Sequence, residues 1–282
     1  MSGKKTVLIT GCSSGIGYCV AKGLKARGYH VIATARKAHD VQHLQQQGFD
    51  ALPLDLDDSR SITLAVEQAL TLSGGKLYAL FNNGAYGQPG AVEDLSRETL
   101  RHQFETNLFG WHELTCLLIP HMRRHGEGRI IQNSSILGFM TLPYRGAYVA
   151  SKYALEGLSD TLRLELADSG IHVSLIEPGP IESRFRINAL AHWRKNIDQA
   201  HSFHKDYYQS MLARLEKEGP AAPFTLPPEA VLKKVIHALE SPHPKPRYHV
   251  TFPTHLFAFL RRLLSSRVMD KALLSVSGKG QR

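Results

Sequence analysis

A chain of 282 residues, 43% hydrophobic and 21% charged, is long and apolar enough for one α/β domain with a sizeable core, and this composition excludes intrinsic disorder. Its three cysteines, Cys12, Cys19 and Cys116, are too sparse for a disulfide framework and form no CxxC pair, so a reducing, cytoplasmic setting and no metal are expected. The net charge of +9 gathers at the end, where ten Lys/Arg between 233 and 282 oppose only Glu240 and Asp270; such a tail is solvated charge, a membrane-surface contact or a nucleic-acid contact.

In chain order, a strand is expected at 6–10, where an apolar run of only Val7 to Ile9 follows a basic start and gives way at once to glycines, the pattern of a buried strand rather than a signal peptide. No run approaches the roughly 18 apolar residues of a membrane span. Further strands are expected at 30–35, 51–54, 77–82, 128–134, 171–177 and 247–250, each short, continuously apolar and bounded by Gly, Asp or Pro. Helical patterns at 15–27, 59–72, 107–124 and 147–168 lie between them. This alternation predicts an α/β, Rossmann-type doubly wound parallel sheet of about seven strands with helices on both faces, a single domain over 1–282. Two regions break it. Residues 183–226 are irregular and rich in His, aromatic and Pro residues, and are expected to form a substrate lid. Residues 253–275 form a basic amphipathic C-terminal segment.

The first strand runs directly into TGCSSGIG, residues 10–17, with glycines at 11, 15 and 17. Glycine permits a left-handed turn and lets backbone approach a pyrophosphate, and a helix beginning near Gly15 aims free N–H groups at that anion. Ser13 and Ser14 add hydroxyl donors. The alternative is an ordinary glycine turn capping a helix. At the end of the second strand, dinucleotide folds set an acid for NAD or a cation for the 2′-phosphate of NADP. Here Ala35 is followed by Arg36 and Lys37, with no carboxylate before Asp40, which favours NADP(H).

Tyr148 and Lys152 stand four apart in a helical stretch and share a face. An ammonium beside a phenol is expected to lower the phenol's pKa and ready it for proton transfer to or from a substrate oxygen. A second such pair, Tyr18 and Lys22, sits on the phosphate-loop helix and is read as structural. Ser135 follows the fifth strand, at the carboxyl edge where open sheets bind ligands, and could hydrogen-bond the substrate oxygen; the other reading of Ser134 and Ser135 is helix or turn capping. Asn107, a polar residue in an apolar helical run, holds a water or a backbone group near the lysine, or is structural.

Together these residues resemble the short-chain dehydrogenase/reductase family. TGCSSGIG, Asp55, Asn82-Asn83, Asn107, Ser135, Tyr148 with Lys152, and Pro178-Gly179 follow that family's order and spacing over residues 5 to about 185. Within it the chain looks nearest to bacterial NADP-dependent aldehyde reductases and more distantly similar to 17β-hydroxysteroid and retinol dehydrogenases. The resemblance implies a hydride-transferring oxidoreductase with catalytic Asn107, Ser135, Tyr148 and Lys152. It implies cofactor contacts at Gly11, Ser13, Ser14, Gly15, Ile16, Gly17, Asp55, Leu56, Asn83, Gly84, Pro178, Gly179, Ile181 and Ser183, beside Arg36 and Lys37. Asp55 would bind the adenine, Lys152 also the nicotinamide ribose, and Asn107 would support a proton relay through water. A homodimer or homotetramer through the helices near Asn107 and Ala147 is implied likewise. One departure stands out: the family's usual Asn-Asn-Ala-Gly reads Asn82-Asn83-Gly84-Ala85 here.

The expected substrate is a small lipophilic carbonyl or alcohol, steroid- or retinoid-like among the possibilities. Leu137, Phe139, Met140, Leu142 and Tyr144 are candidate pocket residues, as are Phe185, Trp193, Phe203, Tyr207, Tyr208 and Met211 of the lid. The alternative is that the lid residues only pack the lid down. Leu256, Leu260 and Leu263, with Arg261, Arg262, Arg267 and Lys271 interleaved nearby, suggest an interfacial helix, a pocket wall or a subunit contact. No nucleic-acid partner is expected. A non-catalytic NADP(H)-sensing protein is the alternative to an enzyme, and a peripheral membrane protein a third reading.

Overall fold

The computed structural model describes residues 4–217, 219 and 222–278. Residues 218, 220 and 221 of the lid segment, and the ends of the 1–282 domain with Lys279 and Arg282 of the basic tail, lie outside the described residues.

Seven strands form one sheet: β1 (Thr6–Ile9), β2 (His30–Ala35), β3 (Asp50–Pro53), β4 (Leu77–Asn82), β5 (Gly128–Asn133), β6 (Ile171–Glu177) and β7 (Arg247–His249). Their order is β3-β2-β1-β4-β5-β6-β7, with every pairing parallel. The runs of Val, Ile, Leu and Ala that predicted strands buried on both faces are buried on both faces, because helices cover each side. Against one face lie α1 (Gly15–Ala26), α2 (Ala38–Gln46) and α9 (Glu229–Glu240), sharing a core with Val7, Ala33, Phe81 and Ile176. Against the other lie α3 (Ser59–Leu72), α5 (Gly110–His125) and α6 (Gly146–Glu165), around Leu8, Ile32, Leu80 and the fully buried Trp111. Strand order reverses direction between β1 and β4, so a crevice opens where Ile9 and Asn82 end.

Three expectations are corrected. The helix expected at 107–124 is preceded by α4 (Arg97–Phe104), and the two are joined by a π-helical turn, Glu105–Phe109. Its extra residue turns Asn107 fully inward, and no apolar period announces it. The segment 183–226 is not irregular; it contains α7 (Phe185–Asn196) and α8 (Lys205–Glu216). Neither shows a clean apolar stripe, because each packs its aromatic residues partly on the other rather than on the sheet. The C-terminal segment is two helices, α10 (Phe252–Leu263) and α11 (Ser266–Val276), broken at Leu264 and Ser265.

Candidate active site

The turn after β1 is built on close approach. Gly11 and Gly15 have φ of 70° and 57°, and a Cβ on Gly17 would lie 2.2 Å from the Gly11 carbonyl oxygen. Only glycine fits there, and what results is a concave backbone cradle at the N-terminus of α1. Ser14 caps that helix without a side-chain hydrogen bond, leaving its hydroxyl available, and Ser13 is exposed. Across the crevice, Thr10 Oγ1 accepts from the backbone N–H groups of Asn83 and Gly84, each at 2.8 Å. Asn83 Nδ2 donates to the carbonyls of Thr10 and Gly11, and its Oδ1 accepts from Asn133 Nδ2 at 2.9 Å. Asn83 therefore acts here as a tie between β1, β4 and β5.

The reversed Gly84-Ala85 pair has a local reason. Gly84 abuts Gly11, and a Cβ at 84 would come 3.1 Å from Leu56 Cδ1 and 3.3 Å from the Gly11 nitrogen. Trp111 Nε1 donates to the Gly84 carbonyl at 2.8 Å, so the loop is anchored from α5. Leu56 is buried, and its carbonyl lies where a Cβ on Gly110 would be, so glycine there admits the chain after β3. Arg36 and Lys37 emerge exposed at the end of β2, neither in an ion pair among the described residues. A glycine cradle on a helix N-terminus with two uncommitted cations at the next strand's tip fits a phosphorylated dinucleotide. Asp55, half-buried, accepts from the Asp57 N–H at 3.2 Å and steadies the bend it stands on.

Four elements bring the chemical groups together. Ser135 leaves β5 in extended conformation and accepts from Leu137 N–H at 3.1 Å, so the capping role is real, while the hydroxyl also reaches Tyr148. Tyr148 and Lys152 lie one turn apart near the start of α6. Lys152 Nζ is buried, donates to the Asn133 carbonyl at 2.8 Å, sits 4.2 Å above the Trp111 ring and is 5.8 Å from the Tyr148 ring. The expected lowering of the phenol is not what the folded chain shows. Tyr148 keeps an edge open to the cleft, but burial pushes it up to about 12, with the Ser135 hydroxyl pulling the other way. Burial likewise pushes Lys152 down to about 7, opposed by Glu156 one turn along. Desolvation outweighs the mutual help of the pair because each charged form would stand in an apolar wall. Asn107 holds backbone rather than a free position: its Oδ1 accepts from Tyr86 N–H at 3.1 Å, and its Nδ2 donates to the Tyr86 carbonyl and to Ser151 Oγ.

Pro178 and Gly179 close the floor. The Pro178 carbonyl accepts from Ile136 N–H at 2.8 Å, tying this turn to Ser135. A Cβ on Gly179 would strike Thr251 Oγ1. Ile181 bridges to Leu226, and Ser183 Cβ would lie 3.1 Å from a Cβ on Gly15, so the lid begins against the glycine turn and beside Ile16 and α1.

The lid divides its aromatic residues. Phe185 alone stacks on Tyr148, edge-on at 5.3 Å. Trp193, Tyr208 and Met211 are buried in the lid's own core, against which the half-buried Tyr144 packs, and Phe203 is 87% exposed. Tyr86 stacks on His192 at 3.9 Å, a contact no sequence pattern signalled. The apolar wall by Tyr148 comes instead from Leu137, Phe139, Met140 and Leu142, and from the C-terminal helices through Phe257, Leu260, Met269 and Leu273. Tyr18 donates to Gln47 Oε1 at 2.8 Å, the structural role expected of it.

Behind Lys152 lies a charged cluster that the sequence did not signal. Arg247 reaches Glu156 at 3.1 Å, Glu177 at 3.1 Å and Asp160 at 2.6 Å, and His249 pairs with Glu177. Burial, then Glu177, pushes the Glu156 carboxyl up to about 7. No group of His, Cys, Asp and Glu suited to a metal occurs among the described residues.

Residues 5–193 match the short chain dehydrogenase family. The chain is 47% identical over 270 residues to oxidoreductase YbbO of Escherichia coli K12, covering 96% of this chain and 94% of that one. It is 33% identical over 273 residues to the NADPH-dependent 3-dehydrocapnine reductase of Ornithobacterium rhinotracheale, covering 94% of each. A crystal structure of a short-chain dehydrogenase from Streptomyces avermitilis superposes with a TM-score of 0.77 at 27% identity, over 100% of this chain and 99% of that one.

Proposed function

Since the chain belongs to the short-chain dehydrogenase/reductase family and is an oxidoreductase of that fold, we propose that it uses NADP(H) to interconvert a lipophilic aldehyde or ketone with its alcohol. The observation that carries this reading is the convergence of Ser135, Tyr148 and Lys152 across a crevice from a glycine cradle, under a wall of apolar side chains. Gly11, Gly15 and Gly17 with the first turn of α1 would hold the pyrophosphate, and Arg36 with Lys37 the 2′-phosphate. When bound, the nicotinamide supplies or accepts the hydride. In the reducing direction Ser135 hydrogen-bonds the substrate oxygen and Tyr148 donates its proton to that oxygen. The Lys152 ammonium offsets the negative charge that Tyr148 then carries, and Phe185 screens the phenol from water. Support for NADP(H) comes from the two cations at the β2 tip and from the reductase relative named for NADPH. Support for a lipophilic substrate comes from the wall of Leu137, Phe139, Met140 and Leu142.

The test follows NADPH absorbance against medium-chain, aromatic, steroid and retinoid carbonyls, with Tyr148→Phe as control. Turnover lost in the variant, with NADH a poor substitute, is the expected result. Tight NADPH binding without turnover on any member would replace this reading with that of a sensor. We also infer a homodimer or homotetramer through α5 and α6, whose Leu117, Leu158 and Leu164 are exposed; sedimentation as a monomer would overturn it.

A further inference from the structure

We infer that the exposed face of the C-terminal helix pair is a docking surface for an anionic lipid bilayer. The helix α10 is apolar on two sides. One side, Phe257, Leu260 and Leu264, packs inward on the cluster that walls Tyr148. The other is a stripe of Phe252, Leu256, Phe259 and Leu263, at i, i+4, i+7 and i+11, which a helix brings to one face. That stripe is open to solvent: Phe252 is 58%, Phe259 61% and Leu263 65% exposed. Phe224, at the end of the lid and 58% exposed, adds its ring to Phe252 at 5.2 Å. Contiguous exposed aromatic and aliphatic side chains of this kind mark a contact surface.

Charge selects the occupant. Between 252 and 278 the chain carries Arg261, Arg262, Arg267 and Lys271 against Asp270 alone. Arg262 lies one turn from Phe259 and flanks the stripe, while Arg267 and Lys271 stand four apart on α11; all three are exposed. Arg261 is exposed as well, with its guanidinium over the Tyr153 ring at 5.6 Å. An apolar stripe flanked by cations is the pattern of a helix lying in a bilayer interface, its rings among the acyl chains and its cations on anionic headgroups. No helix among the described residues is long and apolar enough to cross a membrane, so the contact is superficial. A second copy of this chain packed stripe to stripe about a two-fold axis would bring the basic flanks against each other. A nucleic acid would engage the cations and leave the phenylalanines bare. Because the same helix walls the cleft by Tyr148, docking would set the cleft against the phase in which a lipophilic substrate dissolves. That last consequence rests on the proposed activity; the docking itself does not.

The experiment is flotation of the full chain with phosphatidylcholine vesicles, with and without phosphatidylglycerol, for the parent and three variants. Phe259→Glu/Leu263→Glu removes the stripe, Arg262→Glu/Arg267→Glu/Lys271→Glu reverses the flank, and Phe203→Glu is a control at another exposed aromatic residue. Circular dichroism and turnover of a short water-soluble carbonyl keep folding and activity separate from docking. The parent is expected to float with anionic vesicles and less in high salt, the first two variants about tenfold less, and the control as the parent does. Equal flotation of parent and stripe variant overturns the proposal, as does no flotation of the parent. So does an oligomer that the stripe variant dissociates, or duplex DNA binding that only the charge variant loses, where vesicles are not bound. Any of these leaves the carbonyl turnover, and hence the proposed activity, standing.

Discussion

Asn107 and Tyr86 are joined twice, the side-chain amide of one accepting from the N–H and donating to the C=O of the other at 3.1 and 2.8 Å. The π-helical turn brings this amide into the wall of the cleft, where it fixes the strand-to-helix loop after β4 as a backbone partner would. Replacing Asn107 with Leu leaves the Tyr86 N–H unpaired, while the Tyr86 carbonyl keeps its bond from Gln103 Nε2. The expected cost is about 1–3 kcal/mol of stability, seen in denaturant unfolding, with a fall in kcat. Asn107→Asp keeps the acceptor and loses the donor, and should fall between the two.

The buried pair Tyr148 and Lys152 sets a pH profile. The phenol, raised to about 12, stays protonated well above the range of an ordinary tyrosine. Reductive kcat/KM, which reports the free enzyme, should therefore show no tyrosine limb near pH 10, while the oxidative direction gains as pH rises toward 12. Lys152, depressed from 10.5 to about 7, penalises the folded state fully below about 7, and the penalty fades as pH rises toward 10.5. Unfolding free energy of the cofactor-free protein should rise across that window. In Lys152→Met the rise should be absent.

The proposed preference for NADP(H) rests on Arg36 and Lys37. Arg36→Ala should weaken NADPH binding by about ten- to a hundredfold, the worth of one charge-assisted contact, and leave NADH binding within about twofold. Titration calorimetry with both nucleotides reads this directly. Equal losses for the two would move the 2′-phosphate contact elsewhere.

Arg247 balances Glu156, Glu177 and Asp160. Arg247→Met strands the buried acids and should cost about 3 kcal/mol, the lower end for a broken buried pair because the guanidinium is itself half-open. Glu156, already raised from 4.5 to about 7, penalises folding increasingly as pH rises between those values. The variant's deficit should thus be smaller at pH 5 than at pH 8, measured by urea unfolding at each.

Much of the scaffold was legible because it depends on short-range pattern. Runs such as 30–35 and 171–177 coincide with β2 and β6, since a strand buried on both faces has little but apolar residues to show. Residues 10–17 were legible because Gly11 and Gly17 answer to backbone clashes, and Gly15 to a left-handed turn, that disfavour any side chain. Tyr148 and Lys152 were legible as neighbours on a helix face, but their environment was not: burial dominates the titration of both, with Ser135 acting on the phenol and Glu156 on the ammonium, while Trp111 and Asn133, 37 and 15 residues before Tyr148, enclose the ammonium. The lid helices were missed for a related reason. Trp193, Tyr208 and Met211 bury against one another and against Ala91, so their spacing reports a small satellite core rather than the main sheet. The π turn has no period to read, and the Arg247 cluster unites α6, β6 and β7, which only the sheet order brings together.

The all-parallel sheet has a consequence in time. No strand can pair with its successor through a tight turn, so each ladder waits for a crossover to close, and folding of such topologies is slow. The clasp between Thr10 and the Asn83-Gly84 backbone joins positions 73 and 74 apart in sequence. Partly assembled chains with β1 and α1 in place still lack the far lip of the crevice. A nucleotide that needs both lips would recognise only the finished molecule, and its presence would retard unfolding more than it hastens folding.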